Sequence, residues 1–304
     1  MRIGFVLPTM GPLAGPDSIT LVARAVEDAG LDSVWVNERS LWPVEPINPY
    51  PFGPLPEAYQ RIVDPLDALA YVAALTIRIG LGTSVLNLPW YNPLLLARRL
   101  TSLDVLSGGR LVAGIGSGWS QDEHIAAGSD WHTRGARTDE GIAVLKAAWT
   151  TDPVEHHGAH YEVPRSYVSL KPVQQPHPPL VYGGWGAAAK RRAALLCDGW
   201  HPAGLPVDQL APQFAEVQEL ARAAGRDPGS LRLVAKNGLD LRAAPIGSGR
   251  ASFAGSPAEV AADLEAAAAA GVDELILDCV LAPGVEITAD IVERIVALAR
   301  IAGR

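Results

Sequence analysis

Cysteine is scarce in this chain. Cys197 and Cys279 are the two thiols among 304 residues, and neither lies in a Cys-x-x-Cys pair or a His/Cys cluster. A disulfide framework is therefore excluded, and buried free thiols in a reducing cytoplasm are expected. Basic charge is also short. Lys and Arg number 25 against 33 Asp and Glu, a net charge of −8. A nucleic-acid partner would require a basic face, so none is expected, although a local basic pocket for a phosphorylated ligand is compatible with this balance. Long apolar runs are missing too. The opening run at residues 3–7 follows Met1-Arg2 directly. It is far shorter than the roughly 20 residues that cross a bilayer, so neither a signal peptide nor a membrane span is expected, and the chain reads as cytoplasmic. Metal-ligand spacing is absent: His156, His157 and His160 fall in an irregular stretch, and no His or carboxylate pair recurs at helical ligand spacing. Gly116-Ser117-Gly118 is not a Gly-x-Ser-x-Gly nucleophile turn. The first strand is followed by Gly11-Pro12 and then Gly15, which does not fit a dinucleotide-binding Gly-x-Gly-x-x-Gly turn.

What is present points to one large α/β core. Hydrophobic residues make up 48% and charged residues 19%, a composition that favours a packed interior over disorder. Short apolar runs predict strands at residues 3–7, 33–36, 77–85, 110–115, 180–182, 199–201, 231–238 and 274–279. Helical periods fall between them at 17–29, 64–75, 92–106, 134–149, 186–196, 207–224, 257–270 and 288–302. Asp17 or Ser18 is expected to cap the first helix, and Asp64 with Pro65 to open the second. Eight strands alternating with eight helices imply a parallel sheet closed into a single (β/α)₈ TIM-barrel domain spanning residues 1–304. Two stretches, about 40–63 and 152–179, have no period and read as insertions in the strand–helix loops. Both are expected to wall the pocket, the second as a hairpin or flap.

Functional residues of such a barrel gather at the carboxyl ends of its strands. In chain order those ends carry Pro8-Thr9, Asn37-Glu38-Arg39, Thr83-Ser84-Val85 with Asn87, Gly116-Ser117-Gly118-Trp119 with Glu123, Gly183-Gly184-Trp185-Gly186, Trp200-His201, Lys236-Asn237 and Asp278. The two glycine-rich turns are either simple tight turns or a cradle of backbone N–H groups for a phosphate. Trp35, Trp42, Trp90, Trp119, Trp185 and Trp200 lie near strand ends or their loops. They suit either core packing, the stronger reading for Trp35, or the wall of a planar ring site.

Several motifs in order carry a resemblance. They are residues 30–36 (Gly-Leu-Asp-Ser-Val-Trp-Val), Asp64-Pro65-Leu66, residues 79–85, Asn92-Pro93, residues 103–110 ending Ser-Gly-Gly-Arg, residues 114–119 with Glu123, residues 134–140, residues 171–174, and Pro178-Pro179 leading to Gly183-Gly184. The chain resembles the luciferase-like monooxygenase superfamily, and within it the actinobacterial coenzyme F-420-dependent oxidoreductases. The resemblance implies a flavin or deazaflavin ring at the barrel mouth, behind which a non-prolyl cis peptide would fall at Ser84-Val85. It assigns the cofactor to Asn37, Thr83, Ser84 and Val85, and its phosphate to Gly116, Ser117, Gly118 and Trp119 together with Gly183, Gly184, Trp185 and Gly186.

The chain departs from the pattern at two points. Many deazaflavin relatives carry Asp-His after the second strand, whereas Glu38-Arg39 stands here. A guanidinium stays protonated and is a poor base. Arg39 is therefore read as a ligand for an anionic substrate or the cofactor's acidic tail, or as the salt-bridge partner of Glu38. After the fifth strand the turn lacks a hydroxyl, so a phosphate there would rest on backbone donors. Glu38 and Glu123 are the candidate proton donors or acceptors, with anchoring of a loop as the other reading of Glu123. Arg39 and Trp42 are the candidate substrate contacts, and His132 and His201 are further site histidines. The expected activity is hydride transfer between coenzyme F-420 and a small organic substrate. An FMN-dependent monooxygenase fed by a separate reductase is the alternative, and a non-catalytic flavin- or deazaflavin-binding protein is the alternative of another class. A homodimer is expected from the resemblance alone.

Overall fold

The computed structural model describes residues 1–282 and 284–304. Among them, eight parallel strands form one closed sheet: β1 (Arg2–Val6), β2 (Ser33–Val36), β3 (Gly80–Thr83), β4 (Leu111–Gly116), β5 (Leu180–Gly183), β6 (Gly199–His201), β7 (Arg232–Gly238) and β8 (Glu274–Asp278). Each strand pairs with the next, and β8 returns to β1 with Arg2 opposite Glu274, which closes the (β/α)₈ barrel. The outer ring comprises α1 (Pro16–Asp28), α2 (Pro65–Leu75), α3 (Pro93–Ser107), α4 (Arg134–Thr150), α5 (Ala187–Leu196), α6 (Val207–Ala223), α7 (Pro257–Ala269) and α8 (Thr288–Ile301).

Helix starts follow local chemistry. Asp64 caps α2 by accepting the N–H groups of Leu66 and Asp67, with Pro65 in the first turn. Neither Asp17 nor Ser18 caps α1, contrary to expectation. Gly15 is the cap residue without a side-chain bond, and Pro16 begins the helix. The fixed φ of proline suits that first position, and Asp17 falls in the first turn, where a carboxylate complements the helix dipole. Ser18 is used elsewhere: its hydroxyl meets that of Thr288 at 2.6 Å, joining α1 to α8.

The barrel interior is filled by Trp35, Val6, Val181, Val234 and Ile276. Trp35 is fully buried and donates from Nε1 to Ser33 Oγ at 2.8 Å and Glu274 Oε1 at 3.0 Å. Its ring occupies the space that a side chain at Gly82 would need. A larger apolar layer lies between the strands and the helices.

The loops depart from the sequence reading in three places. The expected strand at 77–85 stops at Thr83, and pairing resumes at Leu86–Asn87 beside β4. A short helix, Gln121–Ala126, had no periodic signal; Ser120 caps it. The insertion at 152–179 contains an antiparallel hairpin of Val154–His157 with Glu162–Ser166. That hairpin packs on α4, where Glu140 accepts the N–H groups of His160 and Tyr161.

Candidate active site

The barrel mouth opens into a cavity of about 730 Å³ at the carboxyl ends of the strands. Its floor begins at β3. Thr83 Oγ1 donates to the carbonyl of Gly114 at 2.8 Å and accepts the Gly114 N–H at 2.9 Å, locking β3 to β4. The next peptide, Ser84-Val85, is cis. The Val85 side chain lies over Gly116 and Gly183, where a Cβ would approach it to 2.9 Å and 2.8 Å. Glycine at those two strand ends leaves the space that Val85 fills.

Ser84 is oriented from below. His201 Nδ1 lies 2.6 Å from the carbonyl of Val234, so that nitrogen carries the proton. Burial pushes the His201 pKa down to about 4, leaving the ring neutral. Its Nε2 then accepts from Ser84 Oγ at 2.8 Å. The Ser84 hydroxyl therefore offers only lone pairs to the cavity.

The second strand end supplies three groups with different fates. Asn37 Oδ1 accepts from Lys236 Nζ at 2.6 Å, and Lys236 also pairs with Asp278 at 3.1 Å. Glu38 lines the cavity while remaining buried. One carboxylate oxygen accepts the Asn87 N–H at 2.6 Å and the Asn87 side-chain amide at 3.0 Å; the other accepts the hydroxyl of Tyr91. Burial outweighs these three donors and pushes the Glu38 pKa up to about 7. The Glu38–Arg39 salt bridge weighed from the sequence does not form. Glu38 is taken up by Asn87 and Tyr91, and Arg39 pairs instead with Glu123 at 3.0 Å.

Of the two readings of Glu123, proton donor or acceptor and loop anchor, the pairing has the geometry of the second. Glu123 is buried and accepts both the Ser40 N–H, at 2.7 Å, and the Ser40 hydroxyl, at 3.2 Å. It is not among the cavity-lining residues, and its geometry is that of a loop anchor. Trp42, expected as a substrate contact, is half-buried and does not line the cavity. Thr83, assigned to the cofactor, lies one layer beneath, committed to Gly114. The remaining cofactor residues, Asn37, Ser84, Val85, Gly116, Ser117, Gly118, Trp119, Gly183, Gly184, Trp185 and Gly186, all line one space.

The two glycine turns face a basic recess that the residue order does not reveal. Arg134, the first residue of α4, and Arg192, in α5, both line the cavity. Arg192 is held by Asp139 at 2.5 Å. Arg134 lies over the Trp131 ring at 3.6 Å and donates to the Trp131 carbonyl at 2.8 Å. Among the described residues no carboxylate pairs with Arg134. Burial, and then the neighbouring Arg192 charge, lower its pKa. Between the turns, Ser117 Oγ meets the Tyr182 hydroxyl at 2.6 Å and Thr138 Oγ1 at 2.9 Å. The signal for these arginines was present: Arg134 belongs to a quoted motif, and Lys190-Arg191-Arg192 follows the second glycine turn.

The 40–63 loop roofs the cavity through Tyr50, Pro51, Phe52 and Tyr59. Tyr50 packs on Trp119 with ring centroids 5.1 Å apart, and Phe52 meets Trp185 edge-on at 5.0 Å. The second insertion, expected to share this role, contributes no lining residue; its hairpin is tied to α4 through Glu140. Of the site histidines, His201 lies in the floor and His132 on the rim. Among the described residues no group of three or more His, Cys, Asp or Glu is arranged to hold a metal. No helix there is long and apolar enough to cross a membrane.

Residues 1–239 match the family model described as luciferase-like monooxygenase. An F-420-dependent glucose-6-phosphate dehydrogenase of Amycolatopsis mediterranei is 32% identical over 222 residues, 70% of this chain and 62% of that one. An FMNH2-dependent dimethylsulfone monooxygenase of Pseudomonas putida is 32% identical over 155 residues, 50% of this chain and 42% of that one. The solved structure of an F-420-dependent secondary alcohol dehydrogenase superposes with a TM-score of 0.79 at 18% identity, covering 98% of this chain and 99% of that one. The chain belongs to the luciferase-like monooxygenase family and is an oxidoreductase of that class.

Proposed function

We propose that the chain transfers a hydride between deazaflavin coenzyme F-420 and a small organic substrate. One observation carries this reading: a ring-sized cavity floored by Ser84 and Val85 adjoins a recess walled by glycine turns and two arginines. Arg134, Arg192 and the backbone at 116–118 and 184–186 would hold the phosphate and acidic tail, while Ser84 and Val85 would line the ring. Arg134, which has no carboxylate partner among the described residues, fits an anionic group better than an uncharged one. When bound, the deazaflavin supplies reversible hydride exchange with a carbon centre.

The chain's own residues supply the rest. Glu38 holds or takes the proton that must accompany the hydride, and its pKa of about 7 lets it exchange one near neutral pH. The same Tyr91 contact serves both states, because a protonated Glu38 can donate to the phenol oxygen. Tyr50, Phe52 and Tyr59 limit water above the reacting carbon and restrict its approach.

An FMN-dependent monooxygenase supplied by a separate reductase is the second reading, favoured by the FMNH2-dependent relative. Calorimetric titration of the cofactor-free protein with F-420 and with FMN separates the two. Micromolar binding of F-420, followed by its reduction by an alcohol or aldehyde-level donor, supports the proposal. Micromolar FMN binding with none of F-420 rejects it.

A further inference from the structure

The Glu38 carboxyl lines the cavity with an uneven set of partners. Oε2 accepts two donors from Asn87, the backbone N–H at 2.6 Å and the side-chain amide at 3.0 Å. Oε1 accepts one, the hydroxyl of Tyr91. A carboxylate oxygen has two lone pairs, so Oε2 is full and Oε1 keeps one open position. Among the described residues no other donor reaches it. A proton arriving at Oε2 would have to displace a buried N–H of Asn87, and a buried donor left unpaired is costly. The proton that Glu38 exchanges therefore belongs on Oε1.

Tyr91 is held in place by its neighbours in the chain. Its N–H donates at 3.1 Å to the carbonyl of Leu88, closing the short turn Leu88–Trp90. Asn92 follows and caps α3 by accepting the N–H groups of Leu94 and Leu95. Burial, and then the Glu38 charge, push the phenol well above its ordinary pKa, so it keeps its hydrogen to donate. The charged groups next to the pair are Asp64, which caps α2, and Arg99 of α3, which pairs with Asp64 at 3.3 Å.

We propose that Tyr91 is a positioning residue for Glu38: its hydroxyl fills one lone pair of Oε1 and leaves the other, open to the cavity, as the place where the exchanged proton is taken up and given back. In the resting acid Oε1–H turns to the phenol oxygen instead, so the pair has two settings. This role rests on the hydride-transfer reading only for the use made of the proton. The test is infrared titration of the full-length, cofactor-free protein, following the protonated carboxyl band that Glu38→Gln abolishes. In the wild type its midpoint lies near pH 7. A phenol donates to a carboxylate more strongly than it accepts from a carboxylic acid, so its loss disfavours the charged form. Tyr91→Phe therefore raises the proton affinity of Glu38 about tenfold, which moves the midpoint to about pH 8. A ring-fluorinated tyrosine placed at position 91, a stronger donor of nearly the same shape, moves it to lower pH. With F-420 and an alcohol, the kcat–pH limb of each variant follows its infrared midpoint while KM stays as in the wild type. A midpoint that does not move, that falls in Tyr91→Phe, or that rises with the fluorinated residue overturns the proposal; if Tyr91→Phe misfolds, the fluorinated residue decides. Wild-type protein that turns over no F-420 removes the hydride-transfer reading, and the infrared midpoints still decide whether Tyr91 governs the Glu38 proton.

Discussion

Glu38 and His201 line the same cavity, and burial drives them in opposite directions on the pH scale. The carboxyl is pushed up to about 7 and the imidazole down to about 4, in each case because the interior disfavours the charged form. Only Glu38 therefore changes charge near neutral pH. As a base it must be ionised, so oxidation of substrate should rise as pH climbs through about 7, and reduction should fall. Glu38→Gln should cost about 10²- to 10⁴-fold in kcat and flatten that limb, as a kcat–pH profile would show. Stability runs opposite to substrate oxidation: the raised pKa favours folding below the ordinary glutamate value, and that contribution is lost as pH rises through about 7. The decline in melting temperature from pH 5 to pH 8 should be shallower in Glu38→Gln. Arg134 and Arg192 make a separate prediction. Their joint replacement by Gln should weaken FMN or F-420 about tenfold or more and leave phosphate-free riboflavin unaffected, because only the charge-assisted contacts are removed. At this scale the sequence was only partly legible. It placed Glu38 and Ser84 at strand ends, since strand ends are countable. Nothing in the order of residues shows that Arg39 turns to Glu123 across 84 positions of chain.

The elements that shape the site are the glycine-ended strands β4 and β5. At Gly116 and Gly183 an added methyl would approach Val85 to 2.9 Å and 2.8 Å, whereas at Gly186 nothing lies within 4 Å. Gly116→Ala and Gly183→Ala should each cost about 1–3 kcal/mol by overpacking, while Gly186→Ala should be close to neutral, measured by urea unfolding. A comparable loss at Gly186 would mean that the close approach to Val85 is not what fixes the glycines. Strands and long helices were legible because burial imposes periods of two and 3.6 on the residue order. The helix at Gln121–Ala126 was not, because six residues are too few to show a period. The 152–179 hairpin was expected as an excursion, but its docking on Glu140 depends on contacts with α4 that no local pattern encodes.

For the whole molecule, closure of the barrel joins the two ends of the chain. The register of β1 with β8 pairs Arg2 with Glu274, and Arg304 reaches Asp32 at 3.1 Å. Among the described residues no strand edge of the barrel is left for a separable half, so residues 1–304 are proposed to act as one domain and to melt in a single calorimetric transition. Two resolved transitions would refute this. Removing α8 should abolish that transition, because Ile291, Ile295 and Leu298 are fully buried from the helix side. Charge is also distributed at this scale: the chain carries −8, while its cavity is lined by Arg39, Arg192 and Lys236, paired with Glu123, Asp139 and Asp278, and by Arg134. Net composition conceals these cationic side chains, since a sum over the chain cannot locate charge.

Trp119 and Trp185 flank the mouth, each in ring contact with the roof residues Tyr50 and Phe52. Indole emission overlaps the absorption of flavin-like chromophores. A tricyclic ring seated between these residues would quench their fluorescence by energy transfer, and a displaced roof would change their emission colour. The barrel thus carries its own optical gauge, reporting which chromophore enters and how fast it leaves without any attached label.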